Sequence, residues 1–257
     1  MKRFRTILTT LTLLLVVCLA LQPAKAHAAS ADDLTFSLSD DGKNYFVSSC
    51  NTAASGILTV PGTYEGKPVT GIGTAAFKGC DKLTQVSLPD SITSIGSYAF
   101  MRCSQLTKVK IPSGITVIDN FTFYECTSLT SINIPHTVKS IGYAAFQGCA
   151  GLTELSVADN VTTIQQAAFQ DCAGLTVVSI PTSVSAIDQA AFNKCAALKK
   201  VYFAGSQEQW DAIIKGVYNE PLKSAELILA ITEPDVPGDE EPSDMEEDTI
   251  EGIDGFD

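Results

Sequence analysis

The chain has 257 residues, of which 45% are hydrophobic and 18% charged, and its formal net charge is −12. A hydrophobic share of this size is enough for a folded core, so the composition excludes a wholly disordered chain. The acidic balance argues against nucleic-acid binding, because contact with phosphates requires a basic surface. The length allows one large domain or two small ones.

Residues 1–28 have the pattern of a secretory signal peptide. Basic residues at the start precede an apolar run from Ile7 to Leu21, and two overlapping A-x-A cleavage sites follow, ending at Ala26 and at Ala28. The apolar run is shorter than the roughly 20 residues that a membrane-spanning helix needs. We therefore expect residues 1–28 to be removed on export, leaving no transmembrane segment.

The N-terminal cap is predicted over residues 29–70. Alternating apolar residues on either side of an Asp41-Gly42 turn predict a β-hairpin with strands near residues 34–38 and 45–47. Residues 58–61 resemble a degenerate first strand of the repeats that follow, and residues 62–68 an enlarged loop.

A 23-residue repeat fills residues 71–205, in six copies without an insertion. One position of the repeat is always Phe, and Cys follows three residues later. These residues are Phe77, Phe100, Phe123, Phe146, Phe169 and Phe192, with Cys80, Cys103, Cys126, Cys149, Cys172 and Cys195. A fixed period of this kind is typical of a solenoid, in which stacked coils bury a continuous core.

Each coil should contain one strand and one short helical turn. Residues 83–89 alternate apolar and polar side chains and end at Pro89, so we expect equivalent strands to form a parallel β-sheet. The segment Gly96–Phe100 and its equivalents are predicted to be the helical turns. The Phe and Cys columns are then structural ladders of the core.

The run IGSYAFMRCSQLTKVKIPSGIT, residues 95–116, and its copies resemble the BspA-type leucine-rich repeats of bacterial surface proteins. The resemblance covers roughly residues 56–231. It departs from the commoner leucine-rich pattern because no Asn follows the strand and Cys precedes the first Leu. The resemblance implies a leucine-rich-repeat-like right-handed superhelix, secreted or on the bacterial surface and often adhesive, with no shared catalytic site.

The C-terminal cap is predicted over residues 206–231. Ser206 and Gln209 have the spacing of a capping box, which predicts the start of an amphipathic helix, and residues 225–231 predict a last strand. The residues expected on the covered face of that helix are Trp210, Ile213, Ile214 and Val217.

The tail, residues 232–257, holds twelve acidic residues and no Lys or Arg. We expect it to be disordered, because like charges extend a chain that has no core. The spacing of a calcium-binding loop is absent from it.

Seven cysteines remain after the signal peptide, counting Cys50 of the cap and the six of the column. Stacked thiols could be buried as small apolar side chains, or neighbouring coils could be joined by disulfides. We favour free thiols, because a ladder of identical side chains explains the column without bonds. Cys50 and Cys80 could pair only in a geometry that the sequence does not reveal.

The sequence predicts no enzyme, no cofactor and no metal. Apart from His27 the only histidine is His136, in a variable loop position without a Ser or Cys nucleophile placed beside it. No phosphate-binding loop and no paired C-x-x-C motif is present.

Two groups of residues are candidate binding sites. Four repeats have Ala two residues before the core Phe, whereas Tyr98 and Phe121 occupy this position in two neighbouring coils, which predicts an aromatic patch. Its other expected members are Met101, Tyr124 and Tyr143. Lys108 and Lys110 form the most concentrated charge on the strands. The alternative for the aromatic residues is packing between coils, since single exposed aromatic side chains are common.

The sequence thus predicts an exported, non-enzymatic protein that mediates adhesion-type interactions at the bacterial surface. The expected ligand is a protein or glycan on host or neighbouring cells. The alternative is a structural spacer module of a larger envelope assembly, without a ligand of its own.

Overall fold

The computed structural model describes residues 27–230. The predicted signal peptide, except for its last two residues, and the predicted acidic tail lie outside the described residues. Within this range, none of the helices has the length and apolar character needed to cross a bilayer.

The N-terminal cap contains a 3-10 helix, Ala31–Asp33, and six strands. They are β1 (His27–Ala28), β2 (Leu34–Leu38), β3 (Tyr45–Cys50), β4 (Ala54–Thr59), β5 (Thr63–Tyr64) and β6 (Lys67–Ile72). The predicted hairpin is confirmed, since β2 and β3 pair antiparallel around a turn in which Gly42 has a φ of 69°. The predicted enlarged loop is also a hairpin, formed by β5 and β6. Its turn residues, Glu65 and Gly66, both have positive φ, as a tight two-residue hairpin requires.

The sequence assigns His27 and Ala28 to the signal peptide, but both belong to the first sheet. β1 pairs in parallel with β4. The Nε2 atom of His27 lies 2.6 Å from Oδ1 of the buried Asp33. Burial raises the pKa of Asp33, but hydrogen bonds from the Ser30 backbone, His27 and Asn51 outweigh it and hold the pKa below its usual value.

The repeats and the C-terminal cap contain short strands that recur with the 23-residue period. They are β7 (Leu83–Ser87), β8 (Ser94–Ile95), β9 (Lys108–Val109), β10 (Val117–Ile118), β11 (Ser140–Ile141), β12 (Glu154–Ser156), β13 (Thr163–Ile164), β14 (Val177–Ile180), β15 (Ala186–Ile187), β16 (Lys200–Phe203), β17 (Ile214–Lys215) and β18 (Glu226–Leu229). Neighbouring coils pair in parallel and in register, as Val178 with Val201 and Ile141 with Ile164. The predicted solenoid with parallel sheets is therefore confirmed.

The expected single sheet is divided in the structure. One part has the strand order β1-β4-β7-β9 and the other β12-β14-β16-β18. Between them, residues 130–134 have no strand, although Ile132 and Ile134 are buried in register with the core. Asn133 is a poor strand former, which weakens pairing there. A second series, β10-β11-β13-β15-β17, forms a further sheet that the sequence analysis did not anticipate.

The segments that lead to each core Phe are successive tight turns, where the sequence predicts short helical turns. Each contains a residue in the left-handed conformation, such as Ala75 with a φ of 57°, which interrupts helical geometry. Backbone groups form hydrogen bonds between coils instead. For example, the N–H of Phe77 donates to the carbonyl of Ala99 at 2.8 Å. The coils thus satisfy one another's peptide groups.

The phenylalanine column is the centre of the core. All six rings are fully buried, and the rings of adjacent coils are stacked with centroids 4.9–5.3 Å apart and planes within 15°. This confirms the predicted ladder, in which each ring covers the face of its neighbour.

The cysteine column is buried beside these rings, and all seven cysteines of the described chain have free thiols. The thiols of five successive coils each donate to the carbonyl of the Phe that lies 26 residues earlier, at 3.1–3.2 Å. Burial raises the pKa of Cys126 and of Cys195 to about 12, so both thiols are neutral at physiological pH. Each is therefore a small core side chain that also bonds one coil to the next.

The C-terminal end is closed by α1 (Gln207–Ala212) and α2 (Glu220–Ser224). The predicted capping box is present, because Ser206 Oγ accepts from the N–H of Gln209 and Gln209 Oε1 accepts from the N–H of Ser206. The Trp210 ring lies 5.3 Å from the ring of Phe203, between centroids, and so covers the last coil.

The predicted continuation of this helix past residue 212 is wrong. The chain enters β17 instead, which pairs in parallel with β15 and prolongs the second sheet. Ile213 is buried as predicted, but Ile214, in β17, and Val217, in the bend after it, are exposed, because the chain has left the helix and no longer follows the helical period.

Candidate functional site

Every repeat has two positions with left-handed backbone on its turn side. The first position holds Ala75, Tyr98, Phe121, Ala144, Ala167 and Ala190, with φ between 50° and 62°. The second position holds Gly79, Arg102, Glu125, Gly148, Asp171 and Lys194, with φ between 56° and 76°. At the first position the backbone N–H of Tyr98 and of Phe121 donates to the next coil at 3.0 and 2.9 Å. These side chains therefore start from a backbone that is fixed by its neighbours.

Phe121 contacts the rings of Tyr98, Tyr124 and Tyr143, and these four predicted side chains form what we call the aromatic cluster. The rings of Tyr98 and Phe121 are stacked, with centroids 4.8 Å apart. Phe121 meets Tyr124 and Tyr143 edge to face, at 5.6 and 5.0 Å. All four rings reach the surface, and Tyr143 is 37% exposed. Met101 is half-buried in the same turn as Tyr98 but does not take part in these ring contacts.

Backbone geometry does not explain why two aromatic residues occupy the first position. A bulky residue with positive φ is uncommon and strained, whereas the smaller Ala adopts the same conformation in four of the six repeats. The core Phe ladder is also complete without Tyr98 and Phe121. Strained residues concentrate at functional sites, and aromatic side chains are enriched at the energetic centres of protein interfaces.

An ion pair lies beside the aromatic cluster at the second left-handed position. Arg102 Nε is 2.7 Å from Glu125 Oε2, and the Arg102 side chain is largely exposed whereas that of Glu125 is partly exposed. Partial burial, together with the neighbouring Glu125 carboxylate, raises the pKa of Tyr124. An aromatic centre with a charged rim is the usual organisation of a protein-binding surface.

Arg102 and Glu125 were not predicted as site residues from the sequence. Opposite charges at the same position of consecutive repeats were the available signal. Asp171 and Lys194 form a second such pair three repeats further on, with the charges in the opposite order and an N–O distance of 3.4 Å.

The two predicted lysines lie on the strand side of the coils, whereas the aromatic cluster lies on the turn side. Lys108 is exposed in β9, and Lys110 Nζ is 3.3 Å from Asp90 Oδ1. Lys110 and Asp90 also line an open groove of about 600 Å³ where the sheet is divided, together with Asn133 and His136. The structure therefore gives two separate surfaces, one aromatic and one polar.

In residues 27–230 no three His, Cys, Asp or Glu side chains lie close enough together to hold a metal ion. The ladder thiols are kept protonated by burial, whereas a cysteine binds metal as the thiolate. His136 is exposed at the polar groove.

Comparison with protein families finds one match. The model of the BspA type leucine rich repeat region matches residues 66–176, in six copies. None of the curated protein sequences matches the chain.

Several crystal structures of bacterial leucine-rich repeat proteins share the fold. The leucine rich repeat protein of T. pallidum (TpLRR) is 26% identical, with a TM-score of 0.63 over 81% of this chain and 97% of that chain. A leucine-rich repeat protein of Bacteroides ovatus is 26% identical, with a TM-score of 0.54 over 68% of this chain and 54% of that one. A leucine rich cell surface protein of Faecalibacterium prausnitzii is 27% identical, with a TM-score of 0.50 over 71% and 41%. The chain thus spans about half or less of the last two proteins.

Proposed function

Because its repeats belong to the BspA-type leucine-rich repeat family, we propose that this chain is a non-enzymatic, protein-binding solenoid of the bacterial surface or the secreted fraction. Proteins of this fold offer extended surfaces on a rigid scaffold, which suits recognition of other macromolecules. The similarity to a leucine rich cell surface protein supports the location. As part of this proposal, the protein acts in adhesion to host or neighbouring cells.

The observation that carries this proposal is the aromatic cluster. Three of its rings pack around Phe121 at a surface of stacked coils, and Tyr98 and Phe121 replace the Ala found at this position in the other repeats. Rings preorganised in this way lose little conformational entropy when a partner covers them. The ion pair between Arg102 and Glu125 supplies a polar rim.

Export is part of the proposal and rests on the signal-peptide pattern of the first residues. Of the two A-x-A sites, cleavage after Ala26 fits the fold better, because it keeps His27 and Ala28 for β1 and preserves the contact of His27 with Asp33. Sequencing the N-terminus of the exported protein tests this. A first residue of His27 is expected, and a first residue of Ala29 would show that β1 is dispensable.

The binding experiment uses purified protein on a biosensor, against a panel of purified extracellular-matrix proteins and a glycan array. We expect saturable binding to a protein. Phe121→Ala should weaken it at least tenfold, about 1.4 kcal/mol, because the central ring of the cluster is lost. Ala is the residue that four repeats already carry in this conformation, so the backbone should tolerate the change.

Tyr202→Ser is the matched control. Tyr202 is also an exposed aromatic residue, 40% exposed in β16, but it lies on the strand side. Ser occupies the equivalent position in other coils, as in Ser156 and Ser179, so this change should leave binding unaltered. Equal loss in both variants, or binding that depends on Lys110 and prefers glycans, would contradict the role of the aromatic cluster. Absence of any saturable ligand would favour the spacer alternative.

A further inference from the structure

The first cysteine of the ladder differs from the others. In the regular coils each thiol donates to the carbonyl of the Phe in the coil before it, as Cys126 Sγ does to the carbonyl of Phe100 at 3.1 Å. Cys80 has no such coil before it, since the N-terminal cap lies there. Its nearest acceptor is the carbonyl of Cys50, at 4.0 Å.

Cys50 brings a second thiol to this place. It is the last residue of β3, in the hairpin of the cap, and it is partly exposed, whereas Cys80 is fully buried. The Cys50 thiol donates to the carbonyl of Asn51 at 3.7 Å. The interaction between the two neighbouring sulfurs lowers the pKa of Cys80 and raises that of Cys50.

We propose that Cys50 and Cys80 are a disulfide-forming pair that covalently joins the N-terminal hairpin to the first coil. No other thiols of the described chain are arranged in this way. The remaining ladder thiols are each bonded to a carbonyl and are closed to solvent, so an oxidant cannot reach them.

The oxidant that the proposal requires is a disulfide, either a small molecule or the active site of a thiol–disulfide oxidoreductase. The pair first ionises at Cys80, and the remaining proton passes from Cys50 to Cys80, so that the partly exposed Cys50 sulfur attacks the incoming disulfide and releases one thiol. The Cys80 thiolate then attacks the Cys50 sulfur of this mixed disulfide, and the second thiol leaves. Two electrons pass from the cysteine pair to the incoming disulfide, and the two protons end on the released thiols.

The link should stabilise the cap. It closes a loop of 30 residues and so restricts the unfolded chain. We expect the oxidised protein to melt roughly 5–15 °C higher than the reduced protein. The proposal concerns the cap alone and does not depend on ligand binding or on export.

The test is oxidation of the purified, reduced protein by oxidised glutathione at pH 8. Free thiols are then alkylated, and peptides are mapped by mass spectrometry after denaturation. We expect one major cross-link, between the peptides of Cys50 and Cys80, together with the rise in melting temperature. Cys50→Ser should abolish both effects, and the matched ladder variant Cys126→Ser should keep both.

Other outcomes overturn the proposal. One is a stable glutathione adduct on Cys50 while Cys80 remains a free thiol. The others are cross-links among several cysteines of the ladder, or alkylation of every cysteine, which would show that no disulfide has formed. Cys50→Ser alters a partly exposed residue, so its melting temperature should equal that of the reduced wild type. This comparison separates loss of the link from loss of the fold.

Discussion

Two rows of aromatic side chains run along the same turns of this solenoid, only two residues apart in sequence. Phe123 belongs to the inner row, which has one ring in each of the six coils, all of them fully buried. Phe121 belongs to the outer position, where only two coils carry an aromatic residue and four carry Ala. The inner row is required by stacking, whereas the outer residues are departures from the repeat.

Comparing the two rows separates scaffold from function in a repeat protein. A side chain that recurs in every coil has a partner in every coil, and its role is explained by the ladder that it forms. A side chain that breaks the repeat at an exposed position has no such explanation. The experiments that follow test whether the two rows differ as this reasoning requires.

The largest effect is expected in the inner row. Phe146→Ala removes a ring that stacks on Phe123 and on Phe169, with centroids 5.2 Å away on both sides. It should lower the free energy of unfolding by about 3–5 kcal/mol, through lost burial and the cavity that remains. Urea denaturation followed by circular dichroism measures this. A loss below about 1 kcal/mol would show that the ladder is not the main source of stability.

The next effect concerns the cysteine ladder at alkaline pH. The folded pKa of Cys126 is raised from 9.0 to about 12, so its contribution to stability is complete below about pH 9 and is lost as the pH rises toward 12. Over this window the unfolded chain ionises its thiols while the folded chain does not. Each such thiol should cost about 1.4 kcal/mol of stability per pH unit.

Urea midpoints of the reduced protein between pH 8 and pH 10.5 check this prediction. Stability should be nearly level up to pH 9 and then fall. Cys126→Ala should be less stable at pH 8, yet its stability should fall less steeply with pH. A wild-type stability that stays constant to pH 10.5 would mean that the ladder thiols ionise as easily in the folded protein as in the unfolded chain.

The smallest effect is expected at the rim of the aromatic cluster. Arg102→Ala removes the exposed ion pair with Glu125, and pairs of this kind add little to stability. The melting temperature should not change measurably at physiological salt. A clear decrease would assign the pair to the scaffold, together with the inner row.

The repeat itself could be predicted from the sequence because its period is strict. Phe and Cys recur every 23 residues, and only stacked coils bring equivalent residues together, so both ladders followed. The hairpin around Gly42 and the capping box at Ser206 were also predictable, since both depend on local residue types. The same period places Tyr98 and Phe121 in neighbouring coils, so the aromatic cluster was also predictable.

Features that depend on contacts between coils were beyond the sequence. The segment Gly96–Phe100 has residues compatible with a helical turn, but bonds to the next coil select a left-handed residue at Tyr98 instead. The end of α1 at Ala212 was missed for a similar reason, because pairing with β15 draws Ile214 into a strand. The approach of Cys50 to Cys80 joins residues 30 positions apart and follows no repeat.

The most direct test of the difference between the two rows is the stability of Phe121→Ala, measured by urea denaturation beside Phe146→Ala. The Phe121→Ala protein should unfold within about 1 kcal/mol of the wild type, since lost ring contacts are offset by the relief of a strained bulky residue. A loss of about 3–5 kcal/mol, equal to that of Phe146→Ala, would place Phe121 in the core and contradict its assignment to a binding surface.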